Sequence, residues 1–156
     1  MGGTDYSILN KTLGEMLARA SNIGKPLKEV GMMMVGEQQK NIAASGRPEK
    51  WEPSIRVKVG GGETLRLTGH LMNALTFGVE GPRVAAGPGS AVSKYARILA
   101  LGGTIKAKSK KYLKFFIPGV GWIQKKEVTI KARDYTYMPP DMSMTFGEVV
   151  GRFVMG

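Results

Sequence analysis

Residues 95–133 read YARILALGGTIKAKSKKYLKFFIPGVGWIQKKEVTIKAR, and this stretch decides the fold. An apolar turn of Tyr95, Ala96, Ile98, Leu99 and Leu101 runs into the Gly102-Gly103 break. Two β-prone arms follow, Thr104 to Ile117 and Trp122 to Ala132, around the tip Pro118-Gly119-Val120-Gly121. Proline presets φ and glycine permits positive φ, so the pattern predicts a β-hairpin. From Thr104 to Arg133 there are nine Lys/Arg against one acid, Glu127, so +8 of the chain's formal +11 sits in one element. A lone two-stranded ribbon is marginal in water. The hairpin is therefore expected to project, completed by its own sheet or by a neighbouring subunit.

Working outward, Asp5 to Asn22 reads as a helix with Leu9, Leu13, Met16, Leu17 and Ala20 on one apolar stripe. Thr4 or Asp5 is its expected cap and Gly24 its stop. Lys25 to Ser45 reads as a second helix, opened by Pro26, with Leu27, Val30, Met34 and Ile42 as its main face. The Met32-Met33-Met34-Val35 run is flexible apolar filler for a core or interface. Gly46 to Ser54 is turn-rich, with Trp51 expected to pin it to the core. Ile55 to Leu67, with Gly60-Gly61-Gly62, reads as loop. Thr68 to Leu75 reads as a short helix capped by Thr68. Thr76–Val79 and Arg83–Ala86 read as paired strands, and Gly87 to Ser90 as a plain turn, since no Gly-Lys-Ser/Thr follows it. Val92 to Leu101 is helical. Pro139-Pro140 bars a helix before Met142 to Phe153, the closing helix, with Asp141 or Ser143 as cap.

This order predicts an α+β fold: an antiparallel sheet with helices packed on one face and a long protruding basic hairpin. At 156 residues the chain is expected to form one domain, residues 1–156, with hairpin 104–133 projecting.

The totals narrow the chemistry. There is no cysteine and one histidine, His70, so disulfides, thiolate metal sites and histidine clusters are not expected. The start of the chain lacks the order of a signal peptide, and no run approaches the roughly 20 apolar residues that span a bilayer. A soluble protein made in the cytoplasm is expected. No catalytic constellation or dinucleotide fingerprint is present, so neither enzyme nor cofactor is expected. Asp134 and Asp141 are read as caps or ion-pair partners, and Arg133-Asp134 with Tyr135 and Tyr137 as a polar joint at the hairpin base. A pI near 10.0 points to a polyanionic partner.

The segments GRPEKWEPS, LRLTGHLMNAL, YARILALGGTIKAKSKKYLKFFIPG and KKEVTIKARDY, in this order, resemble the virion morphogenesis, or tail completion, family of tailed bacteriophages. The likeness covers roughly residues 25 to 135: a Trp51 loop, Leu67 to Leu71, Tyr95 to Gly103, Lys106 to Phe115 and Ile130 to Tyr135. Two departures stand out. Lys131 occupies the place of a usual proline before Ala132-Arg133, so the return arm is expected to run on as strand. The C-terminal PPDMSMTFGEVV is unlike the usual closing helix.

The resemblance implies a non-enzymatic neck or tail-completion protein of the virion, made in the host cytoplasm, forming a hexameric ring at the head-proximal end of the tail and joining tail to head. The implied partners are copies of itself, tail-tube, sheath or terminator proteins, and neck or connector proteins. Non-specific contact with DNA in the lumen is a further implied partner, and a membrane is not. The expected interface is Lys106, Lys108, Lys110, Lys111, Tyr112, Lys114, Phe116, Trp122, Lys125, Lys126 and Arg133, with the aromatics packing in the sheet. A second class stays open: a basic DNA-binding module that lays the 104–133 ribbon in a groove.

Overall fold

The computed structural model describes residues 7–156. The fold is α+β: six helices and six strands among the described residues, the strands paired as three two-stranded ladders rather than as one sheet. Chain contacts divide the described residues into two compact units.

One unit holds residues 7–34, Phe77–Ala86 and Pro139–Gly156. Helix α1 (Ser7–Ser21) forms as its periodicity predicts; its expected caps at Thr4 or Asp5 lie outside the described residues. Its stripe does not face a core. Leu9, Leu13 and Leu17 are 52, 48 and 70% exposed, and no residue of α1 is buried. The helix packs instead beside α6 (Met142–Met155), where the Arg19 guanidinium donates to the Val154 carbonyl at 3.4 Å. The contact with α6 therefore runs along the half-buried side that carries Met16 and Arg19, and the three leucines are left outside it. Leu13→Ala and Leu17→Ala are accordingly expected to cost below about 1 kcal/mol each, far from the 2–5 kcal/mol of a buried leucine. Thermal unfolding of dilute protein checks this; a larger loss would place the stripe in a core.

Helix α2 (Gly24–Ala43) begins with Pro26 in its first turn, where the missing N–H has no helical partner to lose. Leu27 and Val30 are buried, while Met32 is exposed. A β-carbon on Gly31 would collide with the Phe77 ring, so glycine is what lets strand β1 (Leu75–Glu80) carry a phenylalanine there. Strand β2 (Arg83–Pro88) pairs with β1 across Gly81-Pro82. The predicted turn at Gly87 to Ser90 is not one. Gly87 and Pro88 continue the strand, and Gly89 sits at the N-cap of the next helix, donating its N–H to the Ala74 carbonyl at 2.8 Å. Helix α6 has Asp141 at its N-cap, but the backbone carbonyl of Asp141, not its carboxylate, receives the N–H groups of Met144 and Thr145.

The other unit holds Val35–Thr76 and Gly87–Met138. Its core is Ile42, Leu71, Leu75, Val92, Ala96 and Tyr135, with Val35, Trp51, Leu65 and Leu99 packed against it. Trp51 thus pins its turn as predicted. The segment read as loop contains helix α3 (Ile55–Gly60). Ser54 makes it: its hydroxyl accepts the Val57 N–H at 3.4 Å, and the glycine run then ends it. Helix α4 (His70–Asn73) is shorter than predicted and is not capped by Thr68; Gly69, at φ 75°, holds the N-cap. Helix α5 (Ser90–Leu101) buries Val92 and Ala96.

Gly102 joins α5 to the ribbon. Its φ is 71°, and a β-carbon there would lie 2.7 Å from the Ala132 nitrogen, so chain direction and close approach both require glycine. The strand after it is β3 (Gly103–Lys106), followed by β4 (Leu113–Ile117), β5 (Gly121–Lys125) and β6 (Glu127–Ile130). The return arm stops at Ile130; Lys131 does not prolong it. There the chain turns inward. The Arg133 N–H donates to the Leu99 carbonyl, and Tyr135 enters the core.

Candidate functional site

The ribbon is two ladders in series with an interruption on one arm. At the base, β3 and β6 pair from Gly103 opposite Ile130 to Lys106 opposite Glu127. At the tip, β4 and β5 pair from Leu113 opposite Lys125 to Ile117 opposite Gly121. Between them, residues 107–112 (AKSKKY) stand against the single residue Lys126, whose carbonyl accepts the Ala107 N–H at 3.0 Å. The excess is forced out as a loop. Lysine, serine and alanine favour strands poorly, and Lys108, Lys110 and Lys111 repel one another, so this is where pairing is cheapest to lose. The tip lies against α3: a β-carbon on Gly119 would sit 3.3 Å from Val59 Cγ1.

Ten of the eleven predicted interface residues are exposed on this ribbon. Lys106 pairs with Glu127 at 3.5 Å, an exposed contact worth about 0–1 kcal/mol. Among the described residues, Lys108, Lys110 and Lys111 form no ion pair. Lys111 Nζ lies 5.6 Å from the Tyr112 ring, at the limit of a cation–π contact. Lys114 Nζ lies 5.1 Å over the Trp122 ring, and Phe116 meets Trp122 edge to face at 5.6 Å. Lys125 and Lys126 lie on the return arm. The eleventh residue, Arg133, is separate. It is 9% exposed, and its guanidinium donates to the Glu52 carbonyl at 3.2 Å and the Lys131 carbonyl at 3.4 Å. Burial pushes its pKa down. The expected polar joint of Arg133-Asp134 with Tyr135 and Tyr137 does not form as a set: Asn41 donates to the Asp134 carbonyl at 2.9 Å, the Asp134 carboxylate receives the Thr136 N–H, and Tyr135 is buried in the core.

The sequence reading missed Glu52. Its carboxylate takes Lys58 Nζ at 2.8 Å on one oxygen and Lys131 Nζ on the other, tying the end of the ribbon to α3. Nothing in the local sequence marks this, because the partners are 6 and 79 positions away. The hydrogen bonds from Lys131 and Lys58 hold the Glu52 pKa down from 4.5 to about 2. A depressed carboxylate pKa contributes stability above the ordinary value, and that contribution is lost as pH falls through the folded value. The two lysine contacts should therefore weaken between pH 4.5 and about 2. A carboxyl-detected NMR titration is expected to put the Glu52 midpoint near the lower figure; an ordinary midpoint would mean both pairs are open in solution.

A model of the phage virion morphogenesis family matches residues 4–139, which include the whole ribbon and its loop. The chain belongs to that family. The match starts earlier than the motifs suggested, taking in α1, and leaves α6 outside it. No curated protein and no solved structure matches the chain. As a phage virion morphogenesis protein it is a structural component of a bacteriophage tail and virion. Among the described residues no group of acids and histidine is placed to hold a metal ion, and no helix is long and apolar enough to cross a membrane.

Proposed function

We propose that this family member is a non-enzymatic tail-completion or neck protein. It acts as one domain that assembles into a ring of six at the head-proximal end of the tail and joins tail to head. The observation that carries the reading is the lysine loop 107–112, excluded from the ladder and lacking internal ion pairs. Such a loop presents charge to something else. Its partner on this reading is an acidic face of a neighbouring tail or connector protein, with DNA in the lumen touched through phosphates. The exposed α1 leucines support self-association, because a helix of 15 residues with no buried side chain gains little from its own chain. The ring interface would be head to tail, closing when its rotation allows.

The alternative of a DNA module reading bases with the ribbon is less well supported. Trp122 is 68% exposed, with Lys114 over its ring and Phe116 at its edge, but a duplex offers phosphates rather than unstacked bases to such a ring.

Light scattering at low and high salt tests the ring. Six copies of a 16.9 kDa chain give a particle of about 100 kDa at both salts. A monomer at both, with duplex binding that collapses in salt, would overturn the ring in favour of the DNA module.

A further inference from the structure

Between α3 and the ribbon lies a groove of about 390 Å³, within the size range of peptide and small-ligand sites. Its apolar wall includes Ile55, Leu67, Phe116 and Ile130. The first three are 57, 60 and 55% exposed, an unusual amount of large apolar surface around one depression. Its charge is lopsided. Glu52 is the one acid in the lining and is already taken by Lys58 and Lys131. Arg56 and Arg133, also in the lining, hydrogen-bond only to backbone carbonyls among the described residues, and the Glu52 charge acts on Arg133 without pairing to it. The Arg133 Nε is buried with no hydrogen-bond partner. A guanidinium held only by neutral carbonyls favours an anion at its accessible edge, and a carboxylate matches its fork.

We propose that this groove binds an extended peptide segment of a partner protein, with an acidic side chain at Arg56 and Arg133 and an aromatic or branched apolar side chain against Leu67 and Phe116. Duplex DNA satisfies only half of this, since its phosphates offer nothing to the apolar wall. The site is distinct from the lysine loop and does not depend on ring formation.

The test is selection of a random short-peptide library on the intact, purified chain. Enriched peptides are expected to place Asp or Glu beside an aromatic or branched aliphatic residue. Their affinity should fall roughly tenfold or more in Arg56→Glu, the loss of one hydrogen-bonded charge pair. It should fall similarly in Leu67→Glu, whose exposed side chain can change without unfolding the chain. A variant with Lys108, Lys110 and Lys111 changed to serine should bind as wild type. No enrichment, or binding that follows the loop lysines and ignores Arg56 and Leu67, overturns the proposal. So does loss of the oligomer in Leu67→Glu, which would make the occupant a second copy of the chain.

Discussion

Tyr135→Ala is expected to cost about 3–5 kcal/mol of stability, the range for removing a large aromatic side chain from a core. Tyr135 is 2% exposed and lies among Ile42, Leu71, Leu75, Val92 and Ala96, contributed by α2, α4, β1 and α5. Loss of the ring opens a cavity where these elements meet, and a protein of ordinary stability, about 5–15 kcal/mol, has little to spare. Tyr135→Phe separates packing from polarity. The hydroxyl reaches the Ala96 carbonyl only at 3.5 Å, so its removal should cost no more than about 1 kcal/mol. Urea denaturation of both variants checks the pair of values. Equal stability for Tyr135→Ala and wild type would take the residue out of the core.

The second large effect is on assembly. Replacing Lys106, Lys108, Lys110 and Lys111 together with serine should leave unfolding within about 1 kcal/mol of wild type, because all four are exposed and only Lys106 has an ion pair. Tail-to-head joining should nevertheless be lost. Removing four positive charges from one loop and the strand end beside it lowers association with an anionic surface by roughly tenfold or more in rate, and flattens its dependence on salt. Complementation of a phage lacking the gene, with joined particles counted by electron microscopy, reads the result. Normal joining by the folded variant would rule the loop out of assembly.

Much of this fold was legible because its elements follow their own periodicities. α2 could be placed from Leu27, Val30 and Ile42, and the β1–β2 hairpin from Gly81-Pro82 between β-prone runs. What failed was whatever depends on the partner. The alternation of Thr104 to Ile117 reads as one strand, since Lys and Ser between apolar residues look like a solvated face. Only the opposing arm reveals that 14 residues cannot pair with the 11 from Trp122 to Ala132. That mismatch was countable beforehand and was the available signal for the loop. The stripe on α1 was read correctly as apolar, but apolar does not mean buried; the helix has no core within reach of Leu9, Leu13 and Leu17. α3 was hidden because Val57 and Val59 beside three glycines suggest loop, and the cap from Ser54 outweighs them. Arg133 was grouped with the lysines by charge; the structure sets it apart from them, 9% exposed where the chain turns inward before Tyr135.

The series arrangement of the ribbon also separates two properties that a simple hairpin links. In an unbroken hairpin, adding residues to one arm slips the register and flips side chains to the opposite face. Here an added or deleted residue between Ala107 and Tyr112 alters neither the pairing of Gly103 to Lys106 nor that of Leu113 to Ile117. Reach and charge can drift while the frame stays fixed, so this loop is where variants fitted to different anionic neighbours can arise without any change to the rest of the chain.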